Sequence, residues 1–176
     1  FHDNITRIGV NVFDKCYALT LEETNQDNPY NLPVSLTTLG ECAFQNCTGI
    51  TRVCLPEGVT VVPRYAFNGC TKLNGVVLSK QTVTIEDWAF AGTALTGISL
   101  PATVTSLGDN VFHNCSELIG VQSYPITAPA ITATTFSHDK GTIKEQCRLF
   151  VLPTASSAYD SWKNYFKAVV ADLTVQ

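Results

Sequence analysis

One phrase recurs along the chain with a nearly constant period. It reads AFQNCTGITRVCLP from Ala43, AFNGCTKLNGVVLS from Ala66 and AFAGTALTGISLP from Ala89. The phenylalanine of this phrase serves as a marker, and the markers are separated by 31, 23, 23, 22 and 24 residues: Phe13, Phe44, Phe67, Phe90, Phe112 and Phe136. Such a period is typical of stacked repeat units, because one unit cannot bury its apolar side alone. The sequence therefore predicts a solenoid.

Apolar residues keep fixed offsets from each marker. An aliphatic residue stands five positions before it, and a cysteine or threonine stands three positions after it at Cys16, Cys47, Cys70, Thr93 and Cys115. A strand-like pattern follows, as in Ile50, Val53 and Leu55. Parallel strand pairing stacks units about 4.8 Å apart, so equivalent residues should form ladders. We expect the phenylalanines and the four register cysteines to lie in a dry interior, the cysteines as small hydrophobic residues.

The chain has seven cysteines, an odd number, so at least one thiol is free or pairs between chains. Adjacent units would bring Cys47 and Cys70 within the Cα range of a disulfide, but parallel side chains rarely reach the required torsion. The cysteines also lack the CxxC spacing of a structural zinc site. No metal or cofactor is expected.

Each unit is predicted to run as strand, turn, short second strand and single helical turn, which gives an α/β solenoid of about six units with a parallel sheet. The repeats span residues 5–153, with a polar loop inserted near residues 22–31, and the last strand is predicted to place Cys147, Phe150 and Leu152 inward. Residues 154–176 carry apolar side chains on one helical face, which predicts a helix that caps the open end. The whole of residues 1–176 is therefore expected to be one domain.

Composition excludes some functions. The net charge of -4 and the pI near 5.2 argue against a nucleic-acid surface, which needs clustered Lys and Arg. No apolar run approaches the roughly 18 residues of a membrane span. The chain starts at Phe1, in the middle of the pattern and without a signal peptide, so it is expected to be a mature product or part of a longer protein, and its compartment stays open.

No convincing catalytic constellation is present, and no enzyme is predicted. There is no phosphate loop, HExxH or GxSxG. His113 follows a marker phenylalanine at a position that tolerates many residues, which favours an exposed side chain. A deep pocket lined by His138, Asp139 and Cys147 would be the one arrangement that revives an enzymatic hypothesis.

The first candidate binding surface lies on the outward strand positions. One register contains Arg52, Gly75, Gly97 and Gly120, and its flanks are expected to be Asn74, Thr96, Ser99 and Gln122, with Cys54 and Val77 in the same row as Ser99. Strand glycines let a ligand approach closely, so this row could form the floor of a shallow groove. The alternative is that the glycines relieve crowding at a bend or bulge.

The second candidate surface lies two residues before each marker. Tyr65 and Trp88 occupy this position in adjacent units, with Arg64 and Asp87 beside them. Exposed paired aromatics can anchor a partner or lie against a sugar ring. The alternative is that they pack on each other and shield the turns.

The repeated phrase also resembles a known family. The segment LGECAFQNCTGITRVCLPEGV (residues 39–59), which recurs in degenerate form over residues 5–153, is similar to the BspA-like leucine-rich repeats of bacterial surface proteins. The resemblance implies a leucine-rich-repeat stack, a secreted or cell-surface location in host-associated bacteria, adhesion to host proteins or other cells, and no catalytic set. Thr93 in place of cysteine, Asp139 at the cysteine position of the last unit, and the inserted loop depart from the pattern.

These observations favour a non-catalytic module that presents an extended repeat face to a protein or glycan on a host or bacterial surface. The alternative is a structural spacer within a larger cell-envelope protein. The sequence does not indicate the oligomeric state.

Overall fold

The computed structural model describes residues 4–21, 31–139 and 141–174. The predicted polar loop lies outside these residues except for Asn31. The strands in chain order are β1 (Arg7–Ile8), β2 (Thr38–Leu39), β3 (Arg52–Cys54), β4 (Val61–Val62), β5 (Gly75–Val77), β6 (Thr84–Ile85), β7 (Gly97–Leu100), β8 (Ser106–Leu107), β9 (Gly120–Ser123), β10 (Ser137–His138), β11 (Gly141–Thr142), β12 (Arg148–Val151) and β13 (Ala168–Ala171). Two 3₁₀ helices, Ile143–Glu145 and Pro153–Tyr165, complete the described elements.

The strands form two parallel rows, as the repeat predicts. One row contains β3 paired with β5, and β7 paired in series with β9, β12 and β13. The other row contains β1 paired with β2, and β6 between β4 and β8. Only β10 and β11 pair antiparallel among the described strands. We call the outward side of the first row the strand face.

The marker phenylalanines form a continuous stack between the two rows. Neighbouring ring centroids are 5.2, 5.5, 5.6, 6.2 and 5.3 Å apart from Phe13 to Phe136, and adjacent rings are within 13° of parallel. All but Phe13 are fully buried. The predicted ladder is thus confirmed, and it provides the apolar burial that a single unit lacks.

The register cysteines form a second ladder beside the phenylalanines. The thiols of Cys47, Cys70 and Cys115 donate to the carbonyl oxygens of Phe13, Phe44 and Phe90, at 2.9, 3.1 and 3.2 Å. All seven cysteines are free, and burial raises the pKa of Cys70 to about 12. Three register thiols therefore lie in the dry interior as expected. Cys16 differs from the prediction and is exposed, because no described unit stacks before its own.

Stacked turns surround each marker phenylalanine, from four residues before it to three after it. We call these stretches the turn side. Each contains consecutive hydrogen-bonded turns where a single helical turn was expected. Backbone amides alternate between two kinds of partner: Phe67 N donates to Ala89 O of the next unit at 2.9 Å, and Asn68 N donates to Tyr65 O of its own unit at 3.2 Å. Bonding to the neighbour replaces the intrahelical bonds of a helical turn.

The last repeat strand differs from the predicted register by one residue. Arg148 pairs with Gly120, and Phe150 pairs with Gln122, so these two side chains belong to the strand face. Leu149 and Val151 point inward and are fully buried, as is Cys147. The prediction that Phe150 points inward was wrong, because it aligned Pro153 with Pro56. Pro153 comes one residue later in the register than Pro56 and Pro101, and a one-residue shift reverses every side chain of a strand.

The C-terminal cap is shorter than the predicted helix. The 3₁₀ helix ends at Tyr165, and β13 adds a further parallel strand to β12. Trp162 is buried and its ring meets Phe136 edge-on at 5.7 Å, so the cap covers the end of the phenylalanine stack. The helical pattern beyond Tyr165 was misleading, because the adjacent β-branched residues Val169 and Val170 also suit a strand.

The free edge of β3 is covered by one side chain. Asn31 Nδ2 donates to Arg52 O at 2.7 Å, and Asn31 Oδ1 accepts from Cys54 N at 2.9 Å. These are the two backbone groups that a further parallel strand would bond. Cys54, which was predicted from the sequence to point outward, is buried, and its amide donates to the Asn31 side chain.

Candidate functional site

The strand face carries a row of glycines in the predicted register. Gly75 pairs with Arg52 in β3, and Gly97 pairs with Gly120, which in turn pairs with Arg148. We call the furrow above Gly75, Gly97 and Gly120 the glycine trough. Pairing between β7 and β9 continues without a bulge through Gly97 and Gly120, so a bulge does not account for these two glycines.

The glycines of the trough are not required by close packing. A Cβ placed on Gly97 would lie 3.5 Å from the carbonyl oxygen of Gly120, and no closer atom would oppose it. A Cβ on Gly75 would lie 3.7 Å from Arg52 Cγ, and one on Gly120 would lie 3.6 Å from Phe150 Cε2. All three distances are ordinary van der Waals contacts. The fold would therefore accept side chains that the sequence leaves out.

The sheet is interrupted beneath this trough. β5 and β7 are neighbours in space, yet no backbone ladder joins these two described strands. Val76 is consequently only partly buried, whereas Val53 and Val121 at the same position are fully buried. A depression of about 310 Å³ opens here, and its lining includes Val76, Gly97 and Phe150.

Two polar side chains, those of Ser99 and Gln122, border the depression. Ser99 Oγ donates to Gln122 Oε1 at 2.6 Å, and both residues are exposed. Asn74 and Thr96, at the start of their strands, are exposed as well. The predicted flanks are therefore available to solvent, and together they offer hydroxyl and amide groups to a ligand.

The second candidate surface is a row of stacked rings on the turn side. Tyr65 and Trp88 stack with centroids 6.1 Å apart, and His113 meets the Trp88 ring edge-on at 5.1 Å. All three are half-buried. His113 was expected to be exposed, but its Nδ1 lies 2.7 Å from Ser137 Oγ and its Nε2 lies 3.2 Å from Asp139 Oδ1. These contacts and the Trp88 ring cover it.

Charged groups lie beside the rings as predicted. Arg64 Nη2 is 3.0 Å from Asp87 Oδ2, and the guanidinium lies 5.7 Å from the Tyr65 ring centre. Asp87 Oδ1 also accepts from Asp109 N at 2.9 Å. Arg64 and Asp87 help line a depression of about 440 Å³. Because each charge is already satisfied by the other, this pair stabilises the turn side and leaves little charge for a ligand.

Tyr65 and Trp88 adopt an uncommon backbone conformation. Their φ angles are 56° and 59°, in the left-handed region that bulky residues rarely occupy. Asn11 and Asn110 hold the equivalent position in other units with the same conformation, which asparagine tolerates well. The two aromatics are therefore present despite the backbone preference of their position.

The residues named in the enzymatic hypothesis have ordinary structural surroundings. Among the described residues, no group of three or more His, Cys, Asp or Glu could hold a metal ion. Cys147 is buried and its pKa is raised to about 12, so its thiol stays protonated and is a poor nucleophile. Asp139 is exposed, and its pKa is lowered by a hydrogen bond from Asn114 and by His113.

A model of the BspA-type leucine-rich repeat region matches residues 1–119 in six copies. The chain belongs to this family. Its members form leucine-rich-repeat stacks, in agreement with the two parallel rows and the phenylalanine ladder. No helix within the described part of the chain is long and apolar enough to cross a membrane. No protein of curated function is significantly similar in sequence.

Several solved structures resemble this BspA-type repeat domain. A leucine-rich cell surface protein of Faecalibacterium prausnitzii is 24% identical, with a TM-score of 0.55 over 96% of this chain and 55% of that one. A leucine-rich repeat protein of Bacteroides ovatus is 16% identical, with a TM-score of 0.57 over 94% and 55%. The leucine-rich repeat protein of T. pallidum is 25% identical, with a TM-score of 0.61 over 82% and 62%. This chain thus spans little more than half the length of these structures.

Sequence reasoning missed three contributors to the trough. Phe150 and Arg148 were hidden by the register of the last strand, and the interruption between β5 and β7 left no trace in the pattern. The sequence partly indicates the correct register of this strand. When Arg148 is aligned with Gly120, Leu149 and Val151 fall on the inward positions. Val76 is partly exposed because of the interruption between β5 and β7, and nothing in the sequence pattern predicts that exposure.

Proposed function

We propose that the chain is a non-catalytic binding module whose strand face, centred on the glycine trough, contacts a protein or glycan at a cell or host surface. The observation that carries this proposal is the open space above Gly97, which close packing does not require. A surface that omits side chains at an accommodating position keeps room for a ligand. The proposed location, secreted or on the cell surface, rests on the family and on the surface protein from Faecalibacterium prausnitzii.

Two further features support the proposal. Because no ladder joins β5 and β7, the backbone groups that face each other across this gap have no strand partner. A ligand that forms hydrogen bonds with these backbone groups would satisfy them. Ser99 and Gln122 supply additional donors and acceptors at the rim. The trough therefore combines an open floor with polar groups that can fix an orientation.

A binding screen with a filled-trough variant tests the proposal. The chain is screened against host matrix proteins and a glycan array, alongside Gly97→Val and the control Thr60→Leu, which adds apolar surface at an exposed position of the other strand row. We expect binding that Gly97→Val weakens at least tenfold, about 1.4 kcal/mol, and that Thr60→Leu leaves unchanged. Uniformly negative results, or hits indifferent to Gly97→Val, would contradict the proposal and favour the structural spacer.

A further inference from the structure

The glycine trough ends in an arginine on each side. Arg52 precedes Gly75 in the register and Arg148 follows Gly120, so the row reads Arg52, Gly75, Gly97, Gly120 and Arg148. Three paired strand spacings, about 14 Å, and the unpaired step between β5 and β7 separate the two arginine Cα atoms. Both arginines are exposed. The trough is thus an uncharged floor bounded by two cations.

Neither guanidinium is neutralised by a described neighbour. Arg64 pairs with Asp87, whereas neither Arg52 nor Arg148 forms an ion pair with any residue in the described ranges. The two outward rows of the strand face contain no Asp or Glu from β3 to β12. On a chain with a net charge of -4, this face is locally positive. A ligand with negative groups is therefore the complementary partner.

Two details direct the ligand along the trough. The stem of Arg52 lies over Gly75, because Arg52 Cγ and Nη1 are 3.7 and 3.8 Å from the position of a Cβ on that glycine. The edge of the Phe150 ring lies over Gly120 in the same way at 3.6 Å. The space above Gly97 stays open between them. A ligand that runs across the strands would meet a guanidinium, an open floor and an aromatic ring in turn.

We infer that the ligand of the trough is an acidic polysaccharide that lies across the strands and places carboxylate groups at Arg52 and Arg148. This inference rests on the proposed function and names its substrate class. Guanidinium groups bind carboxylates with charge-assisted hydrogen bonds. The half-buried Phe150 ring offers an apolar surface to a sugar ring, and Ser99 and Gln122 offer partners to sugar hydroxyls. An acidic peptide would use the arginines but has less need of the ring and the hydroxyl partners.

Binding of defined oligosaccharides tests the inference. Oligogalacturonates of increasing length are compared with their methyl esters, which keep the sugars and remove the charge, by isothermal titration calorimetry. We expect the acids to bind at least tenfold more tightly than the esters, with a step in affinity at the length that reaches both arginines. The affinity should also fall as salt is raised.

Three glutamine variants identify the residues responsible. Arg52→Gln and Arg148→Gln each remove one charge and keep the first part of the side chain, and each should weaken acid binding about tenfold and abolish the length step. Arg7→Gln removes the same charge from exposed Arg7 in β1, away from the trough, and should leave the affinity unchanged. Circular dichroism establishes that all three variants remain folded.

Each remaining outcome decides between the inference and the proposed function. Equal binding of acids and esters, or equal effects of Arg52→Gln and Arg7→Gln, would overturn the inference. A poly-glutamate peptide that binds more tightly than every oligogalacturonate would replace the polysaccharide with an acidic peptide. If no acidic glycan binds but a screened protein binds in a manner sensitive to Gly97→Val, the inference fails and the proposed function stands.

Discussion

Glycines on the turn side and glycines on the strand face have opposite surroundings. A Cβ on Gly108, on the turn side, would lie 2.4 Å from Asp87 Oδ1 and 2.6 Å from Asp87 N. A Cβ on Gly97, on the strand face, would meet nothing closer than 3.5 Å. Gly108 is therefore needed for the units to stack, whereas Gly97 is not. Close packing explains why position 108 is a glycine, but it does not explain why position 97 is one.

The two sides also differ in how they satisfy their backbone. On the turn side, amides of successive units bond across each interface, as Phe44 N to Ala66 O and Phe67 N to Ala89 O do at 2.9 Å. On the strand face, the ladder is interrupted between β5 and β7. The turn side therefore bonds the units of Phe67 and Phe90 to each other where the strand face, between β5 and β7, does not.

Substitution of the two glycines by alanine gives the largest predicted contrast. Gly108→Ala should lower the free energy of unfolding by about 3 kcal/mol, because its Cβ would force backbone and carboxylate atoms of Asp87 to move. Gly97→Ala should change it by less than about 0.5 kcal/mol, since the lost flexibility of the unfolded chain offsets any new contact. Urea unfolding of both variants provides the measurement. Equal losses would show that the strand-face glycine is also structural.

The edge of the strand face provides the second prediction. Asn31→Ala should destabilise the protein by about 2 kcal/mol, because it leaves Arg52 O and Cys54 N near the interior without partners. Asn31→Asp keeps the acceptor for Cys54 N, but it loses the donor to Arg52 O and places a buried negative charge beside that carbonyl oxygen, so it should destabilise the protein as well. Urea unfolding measures both. A negligible effect of Asn31→Ala would indicate that water satisfies this edge equally well.

The ladders were predictable from sequence because they depend only on the period. Equal spacing of Phe44, Phe67 and Phe90 fixes their stacking once parallel units are assumed, and the register of Gly97 with Gly120 follows by the same logic. Both depend on position within a unit, which the sequence displays directly.

Features that depend on a single departure from the period were not predictable. One extra residue before Pro153 moved Phe150 to the strand face, and Asn31 covers β3 from a segment outside the repeat. His113 was expected to be exposed because its repeat position tolerates many residues, but Trp88 and Ser137 of other units cover it. Contacts between units at irregular positions leave no periodic trace.

The buried thiols give the turn side a dependence on pH. Burial raises the pKa of Cys70 from 9.0 to about 12, so the folded protein keeps a proton that the unfolded chain loses above pH 9. The contribution is complete below pH 9 and is lost as pH rises from 9 towards 12. At pH 10 the loss should amount to about 1.4 kcal/mol. Unfolding free energies measured from pH 8 to pH 11 should therefore fall less steeply in Cys70→Ala than in the wild type.

Cys16 provides the control for this prediction. Its thiol lies at the same repeat position but is exposed, so Cys16→Ala controls for the loss of a cysteine side chain outside the interior. Identical slopes in Cys70→Ala and the wild type would mean that the buried thiol titrates normally, and the view of the turn side as a dry, closed interior would then fail.

The smallest predicted effect concerns the aromatic row, where the turn side itself departs from close packing. Trp88→Asn should change the free energy of unfolding by less than about 1 kcal/mol, because relief of the left-handed backbone at φ 59° offsets the lost contacts with Tyr65 and His113. The variant keeps Trp162 as its only tryptophan, and the fluorescence of that buried ring reports whether the cap remains closed. A loss of several kcal/mol would assign Trp88 to the structural framework. A near-neutral result would mean that the stacking of units does not require Trp88, just as it does not require Gly97. The row of Tyr65 and Trp88 would then be the second surface to test for a partner.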